Sequence, residues 1–209
     1  KAILDSLSDQ NLIDVVNEFA KPISAQALKS VTGLTNMTWQ EMDRVSQGMI
    51  DGCANYLGDS IVEKNCFDCT RSIDNHIQER MEQDLGSDPS LLSVFASVNE
   101  KSETISANIK LAISGGQNEP RDAIAGTIAT LLQNRQQLIR ILDGEFDWLK
   151  GFEEYARWMS PIGMSPRRIA KDFSYKDFDF FENDRVFLMF GSANRDEDIF
   201  EKPNEFRLD

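Results

Sequence analysis

Little in this sequence marks a membrane-spanning, secreted or nucleic-acid-binding chain. No apolar run approaches the ~20 residues that a helix needs to cross a bilayer. Cysteine is scarce: Cys53, Cys66 and Cys69 are an odd number without the spacing of a disulfide framework, which points to a reducing, cytoplasmic setting. The one histidine, His76, reads as a surface or packing residue. Basic residues are outnumbered by acidic ones, 22 to 35, and a net charge of −13 repels phosphate backbones and anionic lipid surfaces. Nucleic acid and membranes are therefore not expected partners, whereas a basic protein surface is compatible with this charge. Internal repeats, low-complexity tracts and linkers are also missing. What remains is 209 residues, 41% hydrophobic and 27% charged, an ordinary composition for a globular chain expected to form a single domain over residues 1–209.

Most of the chain has helical periodicity. Thr38-Trp39-Gln40-Glu41 has the pattern of a capping box, and Met42, Val45, Met49, Cys53 and Tyr56 follow it at helical spacing. A second helix is expected from about 60 to 85, with Ile73, Ile77 and Met81 on one face and a turn at Gly86-Ser87-Asp88-Pro89. Residues 102–142 read as nearly continuous helix, a rod of roughly 60 Å, with Ile124, Ile128, Leu131 and Leu132 as its buried stripe. Another helix covers about 145–159. Beyond Pro161 the texture changes: 167–172 and 185–190 read as short strands, 176–184 as the turn between them, and the tail as loop with one short helical turn. The expected fold class is mainly α with a small β region.

Four constellations bear on chemistry. Cys66-Phe67-Asp68-Cys69 invites a metal reading, but on one helix Cys69 and His76 stand about 10.5 Å apart along the axis, while zinc ligands sit roughly 2.0–2.3 Å from the ion. The cysteines are better read as small packing residues, and no metal ligand is expected among them. Ser114-Gly115-Gly116-Gln117-Asn118-Glu119-Pro120 interrupts the long helical stretch: each glycine weakens a helix by about 1 kcal/mol relative to Ala, and Pro120 deprives the Gly116 carbonyl of its donor. Such a break serves either a close helix crossing or a polar notch that holds a small ligand. Glu154-x-x-Arg157-x-x-x-Pro161 sets an acid and a base on one helix face before a helix stop, with Arg167 and Arg168 on the following strand. Last, Ser192-Ala193-Asn194-Arg195-Asp196 precedes Phe200, Pro203 and Phe206.

Taken in order, these motifs resemble the cytochrome P450 family. Glu154-x-x-Arg157-x-x-x-Pro161 resembles its K-helix signature, Ser192 to Phe206 the approach to its meander, and Gly115-Gly116 the opening of its distal helix over the heme iron. The resemblance covers the whole chain, read as helices D to K and the start of the meander, and implies a partial P450 fold of the bacterial soluble type. It implies heme b as cofactor, with the axial cysteine beyond Asp209, and a reaction that hydroxylates or dealkylates a small organic substrate. Dioxygen with electrons from a ferredoxin-like or flavin reductase-type donor would be the oxidant. It further implies that Glu154 and Arg157 form a structural ion pair, that Gly115 and Gly116 border the heme, and that Arg167 or Arg168 reaches a heme propionate. The helices around 39–57 and 60–85 would roof the substrate pocket.

Two departures matter. The family's amino-terminal helices and its cysteine-ligand loop fall outside these 209 residues, so the piece alone is not expected to hold heme or to be active; the second departure lies at the helix break. Where the family carries an acid followed by threonine, this chain has Asn118 and Glu119. A carboxylate at that point is suited to take a proton from hydrogen peroxide (H2O2) at one oxygen and return it to the departing one, with Gln117 or Asn118 orienting the oxidant. A peroxygenase is therefore the second functional expectation, and a non-catalytic helical binding protein the third.

Overall fold

The computed structural model describes residues 2–83, 85 and 89–209, so most of the expected turn at 86–89 lies outside the described residues. The chain divides into two compact units, Lys1–Ala125 and Gly126–Asp209. Domain count does not follow from such a division, and the single domain stays an expectation.

The first unit is helical throughout: α1 (Ala2–Leu7), a π-helical turn (Val15–Ala20), α2 (Lys21–Thr32), α3 (Trp39–Cys53), α4 (Ser60–Met81), α5 (Leu91–Ser97), α6 (Ser102–Gly116) and the start of α7 (Asn118–Gln133). Helix α2 opens on Pro22, whose missing N–H costs nothing in a first turn. It closes on Gly33 at φ +87°, a left-handed cap that bonds the Lys29 carbonyl. At the start of α3, Thr38 Oγ1 accepts from the Glu41 N–H at 3.1 Å, one half of the expected box. The Glu41 carboxylate instead binds the Arg44 guanidinium at 2.6 and 2.8 Å and the Ser72 hydroxyl of α4 at 2.7 Å. A full reciprocal box forms elsewhere, between Ser90 and Ser93 at the start of α5.

Met42, Val45 and Met49 of α3 are buried as their spacing predicts, with Ile73 and Ile77 of α4 and Ile105, Ile109 and Ile113 of α6 in the same core. The stripe ends sooner than expected. Cys53 is exposed and Tyr56, 93% exposed, lies in the loop after α3. Helix α4 stops at Met81, itself exposed, rather than near 85. Along the α3–α4 contact, Gly48 and Gly52 stand one turn apart, and a Cβ on either would overlap the sulfur of Cys69 or Cys66, respectively. The Cys-x-x-Cys spacing thus fills two glycine holes on the facing helix.

Arg44's hydrogen bonds, with help from Ser72, hold the Glu41 carboxyl at about 2, well below its ordinary 4.5. A carboxyl depressed on folding contributes stability that is complete above pH 4.5 and lost as pH falls through about 2. The gap in urea midpoint between wild type and Glu41→Gln should therefore close on acidification across that window; a gap that stays constant would remove Glu41 as its source.

The second unit holds the rest of α7, α8 (Arg135–Leu142), α9 (Trp148–Met159), β1 (Ser165–Arg168), β2 (Phe173–Tyr175), β3 (Phe178–Phe180), β4 (Arg185–Leu188) and α10 (Phe190–Ala193). The stretch expected as one rod is three helices, broken at Gln117 and at Asn134. At the second break both the N–H and the side-chain amide of Asn134 take the Thr130 carbonyl at 2.9 Å, which ends α7. Of the expected stripe, Leu131 is buried, Ile124 and Ile128 are half-buried and Leu132 is 53% exposed, while Thr127 and Thr130 complete the buried face of α7. Gly126 sits on the face of α7 that meets α9, and a Cβ there would overlap the Tyr155 ring and hydroxyl. Strands β1 and β4 pair antiparallel with Arg167 opposite Val186 and Arg168 opposite Arg185. The segment between them, expected as a turn, contains a second hairpin, β2–β3, in which Phe173 stacks on Phe180 at 4.8 Å. Three-residue strands are too short to show period-two alternation.

Candidate functional site

The break between α6 and α7 is stapled shut on one side. A helical carbonyl without its i+4 donor needs another partner. Here the Ile113 carbonyl accepts from the Ser46 hydroxyl of α3 at 3.2 Å, and the Gln117 carbonyl, reached by the Arg121 N–H only at 3.4 Å, also accepts from the Ser24 hydroxyl of α2 at 2.7 Å. Gly116 is the close-crossing glycine: a Cβ on it would stand 2.9 Å from Leu28 Cδ1. Gly115 is the opposite case, exposed and with nothing within 4 Å of where its Cβ would be. The close-crossing reading thus applies to Gly116, while Gly115 leaves bare backbone with open space beside it.

The three polar residues expected to act at the notch are placed differently from one another. Gln117 is fully buried, and its amide donates to Asp43 Oδ1 at 3.3 Å, while Asp43 Oδ2 binds Lys21 at 3.2 Å. Its side chain is committed to tying the break to α3, and its Oε1 has no protein partner. Asn118 is half-buried with an equally unpartnered Oδ1. Glu119 is exposed, and its side chain makes no hydrogen bond to a described residue. Nor does Glu119 pair with Arg121, whose guanidinium binds Asp122 at 2.7 and 3.1 Å. Ser24, Ser46 and Asp43 were not anticipated. Their one sequence signal is a serine on an otherwise apolar helix face, which only a long-range acceptor can satisfy.

In the second unit, α9 carries Glu154 and Arg157 one turn apart, with Glu154 8% exposed. The pair is bidentate, Nε to Oε2 and Nη2 to Oε1, both at 2.7 Å. Arg157 spends its remaining donors on the carbonyls of Asn194, Pro203 and Glu205 at 2.8–2.9 Å, and Glu154 Oε1 also accepts the Arg207 N–H at 2.7 Å. Nearby, Arg195 donates to the Trp158 carbonyl at 2.7 Å, the Trp158 indole N–H to the Asn204 carbonyl at 3.2 Å, and Trp158 meets Phe206 edge-on at 6.0 Å. Three side chains on α9, those of Glu154, Arg157 and Trp158, therefore hold the irregular segment 194–207 through its backbone. A cleft of about 520 Å³ beside the pair is lined by charged groups, among them Lys150, Glu153, Arg207 and Asp209, and does not suit an apolar ligand.

Arg167 and Arg168 are neighbours on β1, so they face opposite sides of the strand. Arg167 folds back onto Ser165 Oγ and the Pro166 carbonyl. Arg168 is exposed, and among the described residues it has no hydrogen bond or ion pair.

No family model matches the chain. Among curated proteins it is 22% identical to a steroid C26-monooxygenase of Mycolicibacterium smegmatis, over 99% of this chain and 53% of that protein. It is 35% identical to cytochrome P450 NovI of Streptomyces niveus, over 49% of this chain and 25% of that one. Among solved structures, CalO2 superposes with a TM-score of 0.89 at 18% identity, covering 100% of this chain and 53% of CalO2. P450BioI, crystallised with a ligated acyl carrier protein, superposes at 0.86 and 19% identity, covering 99% and 55%. The chain spans about half the length of the curated relatives that it matches end to end. By sequence the chain is thus similar to cytochrome P450s, and its fold matches about half the length of solved P450 structures.

Proposed function

We propose that the whole protein is a heme-thiolate monooxygenase that hydroxylates or dealkylates a small organic substrate with dioxygen and electrons from a ferredoxin-like or flavin reductase-type donor. The observation that carries this reading is the buried Glu154–Arg157 pair with its grip on the backbone of 194–207. The family implies heme b, and two features of this chain suit it. Gly115 presents bare backbone with room for a flat ring, and Arg168 presents a guanidinium that has no partner among the described residues, matched to a propionate. Between the two arginines left open by the sequence, Arg168 is therefore the one assigned to the propionate. When bound, thiolate-held heme supplies the oxygen activation. In the first unit the chain's own part is to leave space at Gly115 and to cover the substrate with α3 and α4; in the second it is to offer Arg168 to a propionate.

A second reading, peroxide-driven oxidation, is favoured by Glu119, an exposed carboxylate four residues beyond the open Gly115. It would accept a proton from one peroxide oxygen and return it to the other. The whole protein, reduced under carbon monoxide, should give the red-shifted Soret band of thiolate-bound iron; a spectrum without that shift overturns the heme-thiolate reading. In the same preparation Glu119→Thr should lose peroxide-driven turnover by about 10²-fold or more and gain reductase-driven turnover. Full peroxide activity with no such gain removes Glu119 from oxygen activation.

A further inference from the structure

We infer that Cys53 and Cys66 form a reversible dithiol–disulfide site that joins the end of α3 to α4. The placement comes from the glycine seam. Gly52 packs directly on Cys66: its hypothetical Cβ would lie 4.0 Å from the Cys66 Cα, and much nearer its Cβ and sulfur. Cys53 is the next residue, one Cα–Cα step of about 3.8 Å away. The two cysteine α-carbons therefore lie within roughly 9 Å of each other, a range that contains the ~4.4–6.8 Å of a disulfide. Cys53 is the last residue of α3, where the following Ala54 has already left helical geometry, so a small local turn can close the remaining distance.

The two thiols have complementary roles. Cys53 is exposed and open to attack an oxidant, while Cys66 is partly buried. Burial, then the nearness of Cys53 and Glu63, raises the Cys66 thiol, which keeps it protonated and slow to react first. The third cysteine stands apart from this chemistry. Cys69 is buried against Gly48 and accepts from Arg44 Nη1 at 3.3 Å. The oxidant is a low-molecular-weight disulfide, RSSR. The Cys53 thiolate attacks one sulfur of RSSR and expels RS⁻, leaving a mixed disulfide on Cys53. The Cys66 thiolate then attacks the Cys53 sulfur and expels the second RS⁻. Two protein thiols are oxidised, one RSSR becomes two RSH once the released protons are counted, and a dithiol reductant reverses both steps. Asp51, Asp59 and Glu63 surround the site in sequence, and the chain carries −13, so a neutral disulfide reacts better than an anionic one. Closure ties down the loop that carries Tyr56 and Leu57, which are 93% and 99% exposed.

The test is incubation of the 209-residue chain with hydroxyethyl disulfide, followed by peptide mapping without reduction. A Cys53–Cys66 cross-linked peptide is expected, with a Tm about 5 °C higher than that of the reduced chain. Cys53→Ser, an exposed replacement, should abolish the link; Cys66→Ser should accumulate the hydroxyethyl adduct on Cys53; Cys69→Ser should leave the link intact. Wild type that stops at an adduct on Cys53, that links through Cys69, or that does not react overturns the inference. None of these readouts depends on heme or on turnover.

Discussion

Replacing Glu154 with alanine should destabilise the chain by about 3–5 kcal/mol, as removal of one partner from a buried ion pair does. The loss is large because three donors lose their acceptor together. Two guanidinium nitrogens of Arg157 and the N–H of Arg207 are all bonded to the Glu154 carboxylate at 2.7 Å. Without it, Arg157 is a charge of low exposure held only by carbonyls, and its hold on Asn194, Pro203 and Glu205 loosens. Glu154→Gln keeps the shape and one acceptor and should cost roughly half as much. The measurement is the urea midpoint of both variants, with proteolysis mapping the first segment to open, expected within 194–207. A Glu154→Ala chain as stable as wild type would return the pair to the status of a surface ion pair, worth about 0–1 kcal/mol. It would also remove the observation on which the proposed function rests.

Gly126→Ala should also destabilise the chain, by a smaller amount and for a reason that involves no charge. A methyl group at 126 would overlap the Tyr155 hydroxyl, Cζ and Cε2, and Tyr155 is 5% exposed. The obstacle is a rigid ring in a filled interior rather than the end of a flexible chain, so either the ring leaves its rotamer or α7 and α9 separate. Overpacking of this kind costs about 1–3 kcal/mol and at times more, against a gain of at most about 1 kcal/mol from replacing a helical glycine. The net sign is therefore destabilising. A double-variant cycle with Tyr155→Ala checks the mechanism, because truncating the ring makes room for the methyl. The cost of Gly126→Ala should fall or change sign in that background. Equal costs in both backgrounds would show that the Gly126–Tyr155 contact is not what demands glycine there.

How far the chain could be read without coordinates follows from the range of each interaction. The helices α3, α4 and α9 were legible, because apolar spacing and capping residues act within a turn or two. Their ends were not: Cys53, Tyr56 and Met81 keep the spacing, yet the core stops before them. The rod expected over 102–142 failed at Asn134, where a side chain competes with the backbone for the Thr130 carbonyl. The β2–β3 hairpin was missed because strands of three residues are too short to show alternation. Glu154, Arg157 and the break at Gly115–Pro120 stood out as local anomalies of spacing and composition.

Their partners did not stand out. That Ser24 and Ser46 close the break, that Gly116 is taken by Leu28 while Gly115 stays open, and that Gln117 is tied to Asp43 depend on residues 67 to 93 positions away or on a neighbouring helix. Local periodicity and the family's motifs settle which elements form and in what order. Which polar group meets which acceptor, and which glycine is a hole and which a gap, is a matter of distance through space, to which one-dimensional spacing is blind.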